Sequence, residues 1–268
     1  MNKQFKMVDG VKVNDKIEWT DWTHNPITGC LHGCEWNMPD NSSAQCYAKS
    51  VAEGVAMKAY PGGFTAHHFY PERLNDPLKV KQPARIFLGS MTDVFGRWIP
   101  DEQVYAVLDA CRRAHWHQFQ LLTKNPVRIA KFANVMPPNV WLGASVPPSI
   151  MWNKPLSARV QKRMFERTIK ALLDLIFVHA LPNIIWLSLE PLSFDVVPTL
   201  RNIPSAKLID WMVIGAASNG TKTYQPDAFW VTSILKYAAE NKTPIFFKGN
   251  LKWEHRRSEF PAVDGFDG

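Results

Sequence analysis

Short apolar runs rich in β-branched and aromatic residues recur along the chain: Ile17–Trp22, Arg85–Gly89, Phe119–Thr123, Val140–Ala144, Ile184–Leu189, Trp211–Ile214 and Pro244–Phe247. Several are apolar at successive positions, the pattern of strands buried on both faces of a parallel sheet. Between them lie stretches that predict helices: Cys46–Tyr60, Asp101–His115, Asn125–Ala133, Ser157–His179 and Asp227–Asn241. Pro100–Asp101–Glu102 and Pro226–Asp227 place acids in a first turn, where the helix dipole favours them. Strand and helix in alternation imply right-handed βαβ units, and so an α/β fold with a parallel sheet or open barrel of six or seven strands. The prolines fall mostly in connections, no linker marks a boundary and no repeat is visible. A single domain over residues 1–268 is expected.

A small or polar residue follows each apolar run: Ser90 and Asp93, Thr123 and Lys124, Ser145, Glu190, Gly215 and Ser218, Lys248. In an α/β barrel the strand carboxyl ends build the active site, so these residues would converge on one face; ordinary strand termination is the plainer reading of any one of them.

Composition adds limits rather than chemistry. With 268 residues, 46% hydrophobic and 21% charged, the chain is neither collagen-like nor disordered. A net charge of +7 permits an anionic partner such as nucleic acid without requiring one. Met1 to Trp19 has no apolar core of a secretory signal, and Ala171–Leu192 is broken by Asp174, His179, Pro182 and Asn183, so neither export nor a membrane span is expected. The expected location is the cytoplasm. The basic residues Arg159, Lys162, Arg163, Arg167 and Lys170 recur at helical spacing in Ser157–His179; they read as a solvated face before they read as a nucleic-acid patch.

The four cysteines are too few for a disulfide scaffold, and three of them cluster: Cys30, Cys34 and Cys46. Thiolates are soft ligands, suited to zinc or to iron–sulfur. Three can hold three irons of a 4Fe–4S cluster and leave the fourth iron open. A zinc site completed by His24, His32, His67 or His68 has equal standing from spacing alone. Cys111, inside a predicted helix, reads as a small buried hydrophobe. Trp22 and Trp36 flank the cysteine loop, where they would shield a cluster from water or stack on an adenine, shielding being the plainer reading. Trp141, Trp186 and Trp211 lie in strand runs and read as core.

The stretch Trp19-Thr20-Asp21 … Asn25-Pro26-Ile27-Thr28-Gly29-Cys30 … Cys46-Tyr47-Ala48 resembles a phage and bacterial family of three-cysteine-motif, radical-SAM-like proteins. The likeness continues through Phe69–Leu74, Phe87–Phe95, Leu121–Pro126, Asn139–Val146, Leu187–Leu192 and Phe246–Lys248, nearly the whole chain. It implies a partial (β/α) TIM-type barrel whose cluster, on Cys30, Cys34 and Cys46, binds S-adenosylmethionine (SAM). An electron donor would then drive reductive cleavage of SAM and modification of a nucleotide or nucleic-acid substrate. On the same resemblance Ser90 and Asp93 would meet the methionine ammonium, Lys124 its carboxylate, and Ser145 or Glu190 the ribose. The competing reading is a non-catalytic, zinc-stabilised barrel that binds nucleic acid through its charge. One departure stands out: the wider superfamily has two residues between its second and third cysteines, and this chain has eleven. The longer loop costs about 1.5 kcal/mol of closure entropy, which ligation would offset.

Overall fold

The protein is described here by a computed structural model covering residues 1–14, 16–202, 208–220, 222–263 and 266. Its framework is a curled sheet of parallel strands: β1 (Trp22–His24), β2 (Arg85–Leu88), β3 (Gln118–Thr123), β4 (Val140–Ser145), β5 (Ile185–Leu189), β6 (Trp211–Ile214) and β7 (Ile245–Phe247). Their order in the sheet is their order in the chain, as in a (β/α) barrel, and Asn2–Lys3 adds an antiparallel edge to β1. Seven parallel strands among the described residues thus form a partial TIM-type barrel, open at the β1 seam. The helices are α1 (Tyr47–Glu53), α2 (Asp101–Arg113), α3 (Ala158–Phe177), α4 (Val197–Arg201) and α5 (Ala228–Asn241). None is long and apolar enough to cross a membrane.

Strand periodicity divides the core in two. Leu142, Leu187, Ile214 and Phe247 belong to the large outer cluster, which includes Val107 and Leu108 of α2, Phe165 and Leu172 of α3, and Ile234 of α5. Intervening positions face inward, where Trp141, Trp186 and Trp211 meet Trp19, Val213 and Phe246. Ring centroids lie 5.4 Å apart for Trp19–Trp186, 5.2 Å for Trp186–Trp211 and 5.6 Å for Trp141–Trp211, so indoles fill the interior as a solid plug. Gly143 is part of that fit, because a Cβ there would lie 2.2 Å from the Trp186 ring. Gly143→Ala is expected to cost about 1–3 kcal/mol by overpacking, read as a lower urea midpoint at unchanged slope.

Six of the seven predicted strands stand to within a residue. The exception is Ile17–Trp22. Its amide and carbonyl groups close a turn (Thr20 N–H to Ile17 O, 3.3 Å), Trp19 swings into the plug, and pairing begins only at Trp22. The apolar side chains there serve packing inside the barrel rather than a ladder. The predicted helix Cys46–Tyr60 stops at Glu53 before Gly54, and Asn125–Ala133 becomes a 3₁₀ segment, Pro126–Val135. Ser157 and Asp227 cap α3 and α5, each accepting a first-turn N–H (Val160 and Phe229). The basic residues of α3 are exposed, opposite Phe165, Ile169 and Leu172.

Candidate metal and cofactor site

The parity that sets the tryptophans inward also aims the strand ends. Gly89 continues the Phe87 face, Lys124 that of Leu122, Ser145 that of Trp141, Ser188 and Glu190 that of Trp186, and Lys248 that of Phe246. All of them line one cavity of about 470 Å³ above the plug, together with Cys30, Cys34, Cys46, Ser90 and Asp93. Every one of the eight residues expected at the site therefore reaches a single space, drawn from the cysteine loop and four strand ends.

The cysteine loop is fastened at its start by Gly29. Its φ is +97°, and a Cβ there would come 2.3 Å from the Ala66 carbonyl oxygen, so glycine is required. The Gly29 N–H donates to Met91 O at 3.0 Å, and its carbonyl accepts the Thr92 hydroxyl at 2.7 Å. Cys30 N–H follows onto Phe64 O at 3.1 Å.

The eleven-residue interval is a β-hairpin. Glu35–Asn37 pairs with Ser43–Gln45 in the register Glu35↔Gln45, Trp36↔Ala44, Asn37↔Ser43. One step further along that register sets Cys34 opposite Cys46, joined by a Cys46 N–H to Cys34 O bond of 3.1 Å. Opposed Cα atoms of an antiparallel pair are about 4.5–5.5 Å apart. The long interval thus returns its thiols to neighbouring positions. On its other edge the hairpin pairs with Ile150–Met151, which follow β4. At its tip, Asp40 accepts the Tyr224 hydroxyl at 2.5 Å, tying it to the hairpin Ala217–Asn219/Lys222–Tyr224 after β6.

Asp93 is buried and fully engaged. Its Oδ2 meets His32 Nε2 at 2.7 Å and accepts the Lys124 N–H at 2.9 Å; its Oδ1 accepts the Phe95 N–H at 3.0 Å. Burial works against its charge, yet these bonds, His32 first, hold the carboxyl below the usual range. His32 stands between two of the cysteines, so β2 is coupled to the thiol loop through this contact. Ser90 shares two hydrogen bonds with Asn25 (3.0 and 3.3 Å). The Lys124 ammonium lies 5.9 Å from the Trp36 ring centre. Glu190 pairs with Lys248 at 2.8 Å, and its Oε1 is buried without a hydrogen-bond partner among the described residues. Burial disfavours the Lys248 charge, but Glu190 raises its pKa above the ordinary lysine value.

All four cysteines are free thiols. Burial pushes Cys34 up to about 11, against the pull of Lys124, and raises Cys30 further. Buried thiols of this kind ionise when a positive centre joins them. Among the described residues no three His, Cys, Asp or Glu side chains form a group able to hold one metal ion. A cluster takes each thiol on its own iron, so three thiols around one cavity are a donor set it fits, whereas tetrahedral zinc draws four donors onto one ion. Of the histidines weighed as a fourth donor, His32 bonds Asp93, His67 bonds Gln103 at 2.9 Å, His24 lines a different cavity and His68 is exposed. Trp36 packs with Cys34, Met38 and Ala44 as expected of a shield. Trp22 does not; it packs edge-on against Phe5, away from the thiols, because β1 starts at Trp22.

A family model matches residues 14–262. The chain belongs to that family, described as Protein of unknown function (DUF5131). None of the curated proteins matches it. Among solved structures it is similar to spore photoproduct lyase complexed with dinucleoside spore photoproduct: 9% identity, TM-score 0.45, over 87% of this chain and 65% of that one. A mutant of the same lyase with bound AdoMet and dinucleoside spore photoproduct gives 9% identity and a TM-score of 0.44, over 83% and 61%. The chain therefore spans less than two thirds of the length of these neighbours.

One residue of the cavity was not expected at the site, one had no role there, and one contact within it was unforeseen. Ser188 sits opposite Ser145 in the β4–β5 register, visible once period-two parity is applied. Lys248 stood among the strand-end residues without a role. The pairing of His32 with Asp93 joins positions 61 apart and leaves no local trace.

Proposed function

We propose that this protein is a radical-SAM-type iron–sulfur enzyme, which cleaves SAM reductively and acts on a nucleotide or nucleic-acid acceptor with electrons from an external donor. The observation that carries the reading is the convergence of three thiols and five strand-end polar residues on one cavity floored by tryptophan. When bound, the cluster and SAM would supply an electron and a 5′-deoxyadenosyl radical. The chain's own residues do the rest. Cys30, Cys34 and Cys46 would hold three irons of the cluster and leave one open. Ser90 and the charge of Asp93 favour an ammonium group on the β2 side, and the Lys124 ammonium favours a carboxylate beside it. Ser145 and the unpartnered Oε1 of Glu190 offer hydrogen bonds to ribose hydroxyls. The indole plug closes the barrel interior beneath them and keeps water from the reacting face. A basic net charge supports an anionic acceptor.

The test is anaerobic reconstitution followed by iron and sulfide analysis, then incubation with SAM and dithionite while following 5′-deoxyadenosine by chromatography. Brown protein that releases 5′-deoxyadenosine is expected. Cys30→Ala, Cys34→Ala and Cys46→Ala should each abolish both signals, while Cys111→Ala, deep in α2, should keep its iron. Colourless protein with one zinc would replace this reading with the zinc-stabilised barrel. An iron requirement for Cys111 would replace the open-iron site with a closed one.

A further inference from the structure

A second cavity, about 900 Å³, lies at the open seam beside β1. It is walled by the N-terminal strand, by β1 itself and by the segments holding Tyr60 and Tyr70. It shares Lys16, Tyr47 and Ser90 with the thiol cavity, so the two spaces adjoin.

Its wall holds two buried polar side chains with nothing to bond. His24 is only 2% exposed, and neither ring nitrogen has a hydrogen-bond partner among the described residues. The same holds for the hydroxyl of Thr28, also 2% exposed. Buried polar groups are ordinarily satisfied, and each one left unmet costs stability, so two together on one cavity wall mark a place where something else completes them. Burial, helped by the nearby N-terminal ammonium, lowers His24 to about 4, so its ring is neutral and offers one donor and one acceptor.

The rest of the wall narrows what that something is. Tyr60 and Tyr70 present rings, and the Arg73 guanidinium lies 3.7 Å from the Tyr70 ring centre. Lys3 and Lys16 add ammonium groups, and the one carboxylate of the wall among the described residues, Asp76, is already met by the N-terminus at 3.4 Å and by Lys79 at 2.6 Å. Neutral donor and acceptor, aromatic faces and net positive charge are the three parts that recognise a base edge, a base plane and a phosphate.

We propose that the seam cavity receives a nucleotide unit, its base bonded by His24 and Thr28 and stacked on the tyrosines, its phosphate facing Lys3, Lys16 and Arg73. The inference rests on the functional reading above for the purpose of binding; the binding itself stands apart from SAM cleavage. The same unit could arrive free or within a strand, and the test separates the two. Full-length reconstituted protein is titrated with 5′-mononucleotides and, separately, with short single-stranded DNA and RNA. The oligonucleotides are also made with 5-iodouracil, irradiated, and their adducts mapped by mass spectrometry.

Adducts on peptides containing Trp22, Tyr60 or Tyr70 are expected. His24→Phe and Thr28→Val should weaken binding roughly tenfold and severalfold, because each removes only hydrogen-bonding capacity. Neither variant should melt lower, because each replaces an unmet buried polar group by an apolar one of like shape. Binding only of mononucleotides assigns a free substrate, and binding of strands a nucleic acid; either supports the site. Adducts elsewhere, equal affinity in both variants, or no binding of any probe would overturn it. Nucleotide-dependent release of 5′-deoxyadenosine without seam adducts would sink this inference and leave the enzyme standing. Seam adducts in a protein that never cleaves SAM would do the reverse.

Discussion

Asp93→Ala should lose about 3–5 kcal/mol of stability and, with it, the ability to hold iron. The carboxylate is buried and receives His32 Nε2, the Lys124 N–H and the Phe95 N–H at 2.7–3.0 Å. Its removal leaves those groups without their acceptor, and an unmet buried donor costs about 1–3 kcal/mol. The loss is not only global. His32 is held on one side by Asp93 and on the other by the Trp152 N–H bonded to its carbonyl at 2.7 Å, and the cysteines on both sides depend on that anchor. Urea unfolding and iron content after reconstitution are the two readouts. Asp93→Asn, which keeps acceptor capacity on one oxygen, should fall between. A stable, iron-replete Asp93→Ala protein would show that the loop is positioned by its backbone bonds alone.

Acid should weaken this protein through His24, and also through His117, whose pKa burial lowers in the same direction. His24 is lowered from 6.5 to about 4, chiefly by burial and then by the N-terminal ammonium and Arg73, with Asp76 opposing. Between those two values the unfolded chain binds a proton that the folded chain refuses, so stability rises with pH across the interval and falls as pH drops from 6.5. Two and a half pH units correspond to roughly 3 kcal/mol at 1.36 kcal/mol each. Carboxylates titrating in the same range add their own slope, and the difference between wild type and His24→Phe isolates His24. Unfolding free energies at pH 7, 5.5 and 4 should converge on a constant offset above 6.5 and diverge by that amount below it. Parallel curves for the two proteins would mean that His24 is protonated in the fold.

How much of this was legible beforehand depended on the range of the forces involved. The strands from β2 to β7 were readable because burial on both faces writes itself into successive residues. The starts of α3 and α5 were readable to within a residue, although Asp227, read as an acid of the first turn, proves to be the N-cap itself. Strand-end chemistry was readable as a class, and parity would have sharpened it by adding Ser188. Ile17–Trp22 misled because an apolar residue serves a plug as well as a strand, and only the shape of the interior decides which. The hairpin had a trace that was there to be seen: Pro39-Asp40-Asn41 is a turn sequence, and Trp36, Met38 and Ala44 alternate with polar neighbours around it. By contrast, the His32–Asp93 contact and the seam cavity arise from parts of the chain brought together only by the curl of the sheet.

The hairpin also changes how cysteine spacing should be compared between proteins. Along the chain Cys34 and Cys46 are far apart, but in the ladder they are rungs of equal height. Adding one residue to each arm lengthens the interval by two and leaves the thiols opposed, so such lengths form an open series rather than a single permitted value. An odd insertion in one arm slips the register and turns a side chain to the other face, unless the turn absorbs it. The invariant of this loop is therefore symmetry about its tip, and a pattern written as a fixed count of intervening residues measures the wrong quantity.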